Sequence, residues 1–131
     1  MGARVDITRT VKGVPSLPFE RMARSVLGKQ YSLSLVICGD KLARRINTEY
    51  RKTTYAPNVL SFELAKNEGE IFLNLRKAER EARSSGVSRT ERFAYLLVHG
   101  LFHLRGLQHG RTMETAEQKV MRAFRLSRYA P

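Results

Sequence analysis

SRTERFAYLLVHGLFHLRGLQH, residues 88–109, combines a long helical pattern with all three histidines of the chain. Ser88 and Glu91 stand three residues apart, which is the spacing of a capping box at the start of a helix. The apolar residues that follow recur at the i, i+3, i+4 interval, so one side of the helix is expected to face the core. These residues are Phe93, Leu96, Leu97, Leu101 and Leu104.

The histidines in this stretch have the spacing of a metal site. His99 and His103 are four residues apart on the predicted helix, so their side chains project from one face. Gly106 can take the left-handed conformation that ends a helix, and His109 can then return from the loop toward the other two. Imidazole nitrogens bind zinc at about 2.0 to 2.1 Å. The spacing therefore predicts one zinc ion with a fourth position open to water, as in catalytic zinc sites.

Gly100 bears on the kind of zinc protein. It follows His99, where the HExxH motif of zinc peptidases has the glutamate that acts as general base. A zinc peptidase is therefore disfavoured and stays as an alternative. A glycine inside a helix costs about 1 kcal/mol relative to alanine, so Gly100 is expected to mark close backbone packing or room beside the metal.

Two further alternatives concern the histidines themselves. Histidine pairs at this spacing are more often surface or core residues than ligands, but here every histidine of the chain falls in one segment. The other alternative is a non-catalytic RNA-binding or ribosome-binding protein with a structural zinc. Such a site usually has four protein ligands, and Cys38 is the single thiol that the chain offers as the fourth.

The other elements predict one α+β domain over residues 1–131, with a small mixed four-stranded sheet covered by about five helices. YSLSLVIC, residues 31–38, alternates larger apolar residues with smaller ones, which indicates a strand with one buried face. Further strands are predicted at residues 4–10, 57–62 and 69–75. The element order is β-α-β-α-β-β-α-α-α, and the helices are predicted to begin near Pro18, Asp40, Leu75, Ser88 and Thr112.

The second predicted helix carries two expectations. Asp40 is expected to cap its N-terminus, because aspartate is a preferred N-cap residue. Leu42, Ile46 and Tyr50 recur at helical spacing and are expected to face the core.

Composition favours a polyanionic partner. The chain has 24 Lys and Arg against 12 Asp and Glu, a net charge of +12. Such an excess attracts nucleic acids and releases counterions from their phosphates. A basic protein without a nucleic-acid role is the simpler alternative. Binding to a membrane surface is disfavoured, because no basic amphipathic helix stands apart as an anchor.

Localisation is expected to be cytoplasmic, without a membrane. No apolar run has the roughly 18 to 20 residues needed to cross a bilayer. The first ten residues, MGARVDITRT, lack the apolar region of a secretory signal. Cys38 is the one cysteine, which excludes an internal disulfide and suits a reducing compartment.

Three segments resemble the YbeY endoribonuclease family. HGLFHLRGLQH, residues 99–109, is similar to the family signature HGxLHLxGYDH. INTEYRKTTYAPNVLSF, residues 46–62, resembles LNxxYRxxxxxTNVLSF, and GEIFLN, residues 69–74, resembles a strand written GDIVI. The resemblance covers about residues 30–125. It implies a zincin-like fold, cleavage of single-stranded RNA, maturation of small-subunit ribosomal RNA, and ribosome quality control.

Site residues follow from the resemblance by position. It makes His99, His103 and His109 the ligands of one zinc ion, and Arg51 the arginine implicated in activity. A guanidinium that faces the metal can hold the scissile phosphate and offset charge in the transition state. The resemblance therefore implies that these four residues are catalytic.

The chain departs from the family pattern beside His109. Leu107 and Gln108 stand where the family has tyrosine and aspartate, and Pro57 stands where it prefers threonine. Glutamine keeps the capacity for a hydrogen bond but lacks the charge that would orient a ligand or move a proton.

These observations predict metal-assisted cleavage of phosphodiester bonds, with zinc polarising a phosphoryl oxygen, activating a water, or both. The expected partners are single-stranded RNA, ribosomal RNA and the small ribosomal subunit. Tyr50 and Tyr55 are candidates for stacking on bases, although helical spacing favours a core position for Tyr50. The candidates for tracking the RNA backbone are Arg44, Arg45, Lys52 and Arg105.

Overall fold

A computed structural model describes residues 3–126, which form a four-stranded sheet and five helices in the predicted order. The α+β prediction is therefore confirmed. The strands are β1 (Val5–Arg9), β2 (Ser32–Cys38), β3 (Val59–Ala65) and β4 (Glu68–Asn74). The helices are α1 (Phe19–Leu27), α2 (Asp40–Arg51), α3 (Leu75–Ser85), α4 (Arg89–Leu104) and α5 (Arg111–Ala123).

The sheet is mixed, with the strand order β1-β2-β4-β3. β2 pairs in parallel with β1 and β4, whereas β3 pairs antiparallel with β4. The β3–β4 hairpin turns through Lys66 and Asn67, and Asn67 takes a φ of 59°, which asparagine tolerates better than most residues. Because this turn is so short, β3 extends beyond the predicted residue 62 to Ala65. Because β3 is the last strand in the order β1-β2-β4-β3, it is an edge strand.

α4 packs directly on this edge strand, and Gly100 makes the close approach possible. A Cβ atom at Gly100 would lie 3.0 Å from Ser61 Oγ and 3.1 Å from Val59 Cγ2. The Ser61 hydroxyl donates a hydrogen bond of 3.1 Å to the Gly100 carbonyl. The predicted close packing at Gly100 is therefore confirmed, and it sets the distance between α4 and β3.

The core confirms the periodic patterns of β2 and α4. Leu33, Leu35 and Ile37 alternate along β2 and are at most 2% exposed. All five apolar residues predicted to line the buried side of α4 are buried. In the described residues, no helix has both the length and the apolar character needed to span a membrane.

Two predictions for α2 are wrong. Gly39 occupies the N-cap position, and Asp40, the first residue of the helix, accepts two hydrogen bonds of 2.9 Å from Arg80 instead of capping. Tyr50 is 66% exposed, not buried. It lies in the last turn of α2 beside the edge strand, and residues 3–126 provide no further strand to cover its ring.

Asn74 joins three elements at the end of β4. It is 1% exposed, and its side chain accepts a hydrogen bond of 3.2 Å from the Lys77 amide, which caps α3. Its amide nitrogen donates to Asp40 at 2.9 Å and to the Pro57 carbonyl at 3.1 Å. Asn74 therefore fixes α2, α3 and the loop before β3 to the sheet.

We expect Asn74→Ala to lower the free energy of unfolding by about 2–4 kcal/mol, because it removes a helix cap and leaves the buried Pro57 carbonyl without this donor. Ser88→Ala is the matched control. Ser88 also caps a helix, accepting from the Glu91 amide at 3.0 Å, but it is exposed. Its loss should cost about 1 kcal/mol. Urea unfolding followed by circular dichroism gives both values, and equal losses would contradict the role assigned to Asn74.

A pH dependence is expected from Asp40. The Arg80 guanidinium lowers the pKa of Asp40 from 3.8 to about 2. A carboxyl group with a depressed folded-state pKa contributes stability above its unfolded-state pKa, and loses it as the pH falls through the folded-state value. Between pH 5 and pH 2, wild type should therefore lose more unfolding free energy than Asp40→Asn. Asp6→Asn, at an exposed position, is the control, and parallel wild-type and Asp40→Asn curves would refute the expectation.

Candidate metal centre

α4 and the turn after it position the three histidines. His99 and His103 lie on consecutive turns of α4. The helix then ends in a Schellman turn, in which the Leu107 amide donates to the Phe102 carbonyl at 3.1 Å and the Gly106 amide donates to the His103 carbonyl at 3.0 Å. Gly106 has the φ of +95° that this turn requires, as predicted. The reversed chain brings His109 back to the helix.

The three imidazole rings converge. Their centroids are 4.6 Å apart for His99 and His103, 4.9 Å for His99 and His109, and 4.8 Å for His103 and His109. The Nε2 atoms of His99 and His103 are 3.1 Å apart. Two nitrogens that bind one tetrahedral zinc at about 2.0 to 2.1 Å are separated by roughly 3.3 Å. The pair therefore has the spacing of ligands that share an ion.

Glu117 on α5 supports His99 from behind. It is 3% exposed, and its Oε2 atom lies 2.5 Å from His99 Nδ1. Because a carboxylate only accepts hydrogen bonds, Nδ1 donates, and the lone pair of His99 lies on Nε2, which faces His103. Histidine ligands of metals are commonly held in this way, which fixes the tautomer and the ring orientation.

Glu117 was not predicted as a site residue, although the sequence of α5 carries a signal for it. Met113, Glu117 and Met121 are spaced four residues apart, and both methionines are buried on the inner face of α5. A carboxylate within an apolar stripe is costly unless it has a hydrogen-bonding partner. The pattern therefore indicated a buried partner for Glu117, and that partner is His99.

His103 has the protonation that a metal ligand requires. Burial lowers the pKa of His103, and the neighbouring His99 and His109 lower it further. His103 is therefore neutral at neutral pH and offers a lone pair. Three imidazoles, one with a buried carboxylate behind it, fit a divalent transition metal ion. These three histidines can thus hold a metal ion, and residues 3–126 contain no other group of three such ligands.

Cys38 lies elsewhere. It is fully buried at the end of β2, where burial raises the pKa of its thiol to about 11, and it does not join the histidine group. The structural-zinc alternative, which needed Cys38 as the fourth ligand, therefore lacks that ligand.

The histidines open into a groove between α4 and β3 that Arg51 also lines. Arg51 Nη2 donates to the Ser61 carbonyl at 3.1 Å, and its guanidinium lies 5.2 Å from the centroid of the Phe62 ring. Tyr95 lines the same groove beside His99, with ring centroids 5.7 Å apart. The α2 arginine singled out by sequence is thus brought to the histidines.

The other predicted RNA contacts do not line this groove. Arg44 and Arg45 are exposed on α2 and line a separate groove, and Arg105 lies near the β3–β4 hairpin. Lys52 is exposed just after α2. Contact of these four residues with RNA stays a prediction. Gln108, which stands in the position of the family aspartate, is exposed.

Comparison with known proteins gives a consistent family. A family model described as "Endoribonuclease YbeY" matches residues 7–127. The endoribonuclease YbeY of Geobacter metallireducens is 36% identical over 113 residues, covering 79% of this chain and 75% of that protein. The same enzyme of Neisseria meningitidis serogroup B is 33% identical, covering 85% of this chain and 78% of its own. The solution structure of a Thermotoga maritima protein matches the fold with a TM-score of 0.70 at 18% identity, covering 93% of this chain and 92% of the other.

We expect Glu117→Gln to weaken the binding of an added divalent metal ion such as zinc about tenfold, because such supporting carboxylates typically contribute 10- to 100-fold to metal affinity. Glu114→Gln removes the same charge from an exposed position on the same helix and is the matched control. Competition with a chromophoric chelator measures the affinity, and circular dichroism checks the fold. Equal affinity of the two folded variants would show that Glu117 does not support the metal ligand.

Proposed function

The chain belongs to the endoribonuclease YbeY family, and from this we propose that residues 1–131 act as one endoribonuclease domain that cleaves single-stranded RNA. The observation that carries the proposal is the convergence of His99, His103 and His109 with Arg51 in one open groove. The net charge of +12 supports a polyanionic substrate.

We propose one zinc ion as the cofactor, held by His99, His103 and His109. Three imidazoles without a carboxylate ligand suit zinc better than an iron site with two histidines and one carboxylate. When bound, zinc supplies a Lewis acid for a phosphoryl oxygen and lowers the pKa of a bound water. Glu117 holds His99 in the orientation that such a site needs.

Arg51 is proposed to hold the scissile phosphate. Its hydrogen bond to the Ser61 carbonyl and its position over Phe62 keep the guanidinium at the groove. A guanidinium has five N–H donors, and one of them is directed at Ser61, so others can face a phosphate. Arg51 would then offset the negative charge that builds on the phosphoryl oxygens during cleavage.

Tyr95 stands beside His99 and Glu117. Burial raises the pKa of Tyr95, and the charge of Glu117 and a hydrogen bond to that carboxylate raise it further. The phenol therefore keeps its proton at neutral pH and directs it at Glu117, the carboxylate that holds His99. In this arrangement Arg51 supplies the positive charge of the groove, and Tyr95 supports the carboxylate behind His99.

A peptidase is not supported by the geometry. Position 100, where a peptidase of the HExxH type has its general base, is a glycine packed against Ser61 and Val59. Glu117, the carboxylate that contacts His99, bonds to the far side of the His99 ring. It is therefore not placed to act on a water bound between the histidines.

In the cell, we propose that the protein acts in maturation of 16S ribosomal RNA and in ribosome quality control, in contact with the small ribosomal subunit. Family membership supports this role. The proposed location is the cytoplasm, which the free, buried thiol of Cys38 suits.

Cleavage of single-stranded RNA by purified protein tests the proposal. His103→Ala should lose both zinc and cleavage, whereas Arg51→Ala should keep zinc but cleave about 100- to 1,000-fold more slowly, the effect of removing one transition-state donor. Arg83→Ala, an exposed arginine on α3, is the control. Metal analysis and gel assays on RNA, with denatured casein in parallel, give the readouts. Nuclease activity in metal-free His103→Ala, or cleavage of casein instead of RNA, would refute the proposal.

A further inference from the structure

Tyr50 is an exposed aromatic ring in the last turn of α2. Among the residues that the structure describes, three large hydrophobic side chains are more than half exposed: Tyr50 at 66%, Tyr55 at 59% and Leu64 at 56%. Tyr50 is adjacent in the chain to Arg51, which lines the groove. An exposed aromatic ring near a proposed nucleic-acid site offers a surface on which a base can stack.

Tyr50 forms the outer end of an aromatic row, defined here as Tyr50, Phe62 and Phe72. The centroids of Tyr50 and Phe62 are 5.6 Å apart with the rings tilted by 60°, and those of Phe62 and Phe72 are 6.1 Å apart, edge to face. Phe62 and Phe72 are half-buried on the sheet. The row therefore holds the Tyr50 ring in place while most of its surface remains exposed.

Arg51 links the aromatic row to the histidine groove. Ser61 and Phe62 are consecutive residues of the edge strand β3, so their side chains point to opposite faces of the sheet. Arg51 bonds to the Ser61 carbonyl and also lies over the Phe62 ring. Its guanidinium thus stands at the sheet edge between the two surfaces. A strand of RNA with a phosphate at Arg51 would place a neighbouring base near Tyr50.

We propose that Tyr50 is a stacking platform for one unpaired base of the RNA whose phosphate is held at Arg51. The inference rests on the proposed function and adds a source of selectivity for single strands. Bases stack on exposed aromatic side chains, and every base offers a π-face. A base within a duplex is already stacked on its neighbours, so the platform takes an unpaired nucleotide.

Tyr55 does not have this arrangement. The Lys77 ammonium lies 5.7 Å from the centroid of the Tyr55 ring and also donates to the Ala56 carbonyl at 3.0 Å. Lys77 therefore occupies one side of this ring. Tyr55 is nearly as exposed as Tyr50 and lies in the loop after the same helix, so it provides a matched control.

A combined scan of protein and RNA tests the platform. Affinity for a short unpaired RNA is measured by fluorescence anisotropy on ice with the purified protein, and gels confirm that the RNA stays intact. Single abasic substitutions are then scanned along the RNA. Wild type should lose about 5- to 100-fold in affinity when one particular base is removed, the range for a base–aromatic stack. Tyr50→Leu should bind intact RNA more weakly than wild type by the same factor. On the RNA that lacks this base, Tyr50→Leu should show no further loss of affinity.

The variants also distinguish stacking from other effects. Tyr50→Phe, which keeps the ring, and Tyr55→Leu should both bind like wild type. Two results would overturn the platform. In the first, Tyr50→Leu binds intact RNA with wild-type affinity. In the second, Tyr50→Leu loses a further factor on the abasic RNA, as expected if the two changes act independently. If wild type still binds and cleaves RNA in either case, the proposed function stands without the platform. If wild type neither binds nor cleaves RNA, both proposals are wrong.

Discussion

Helix α4 rests directly on the edge strand β3, because Gly100 has no side chain at the point of contact. The hydrogen bond from Ser61 to the Gly100 carbonyl fixes the two elements at this distance. His99 lies one residue before Gly100, and Arg51 is bonded to the main chain of Ser61. The spacing between the histidines and the arginine therefore depends on one backbone approach. A Cβ atom at position 100 would press on Ser61 and Val59, whose side chains would have to move by a few tenths of an ångström.

Glu117 is a buried carboxylate at a position where an apolar residue would stabilise the fold more. Its position on α5 lies between two buried methionines, and a third apolar residue there would bury more surface at no electrostatic cost. A buried carboxylate is tolerated because His99 satisfies it. In return, it fixes which nitrogen of His99 faces the other rings. Glu117 thus lowers the stability that this position could provide and orients the His99 ring, a combination that is common at functional sites.

Much of this structure could be predicted from sequence, because local periodicity determines which faces are buried. Alternation in β2, the helical pattern of α4 and the glycine that ends it were enough to bring three histidines together. The errors at Asp40 and Tyr50 have another origin. The partner of Asp40, Arg80, lies forty residues away, and the exposure of Tyr50 depends on where the sheet ends. Glu117 was missed because helical spacing shows that it faces inward but not which side chain it meets.

Net positive charge can attract RNA, but it does not distinguish single strands from duplexes. The four basic residues suggested by sequence as RNA contacts lie outside the histidine groove. On the proposed function, they would add to the long-range field of a chain with a net charge of +12. Such a field draws single strands and duplexes alike, and salt screens it over about 10 Å. Selection must therefore arise from contacts made at short range. At the edge of β3, the Arg51 guanidinium lines the histidine groove and lies over the Phe62 ring, against which Tyr50 packs. On the proposed platform, an unpaired base reaches Tyr50 while its phosphate reaches Arg51, and a base that is already stacked within a duplex cannot make this contact.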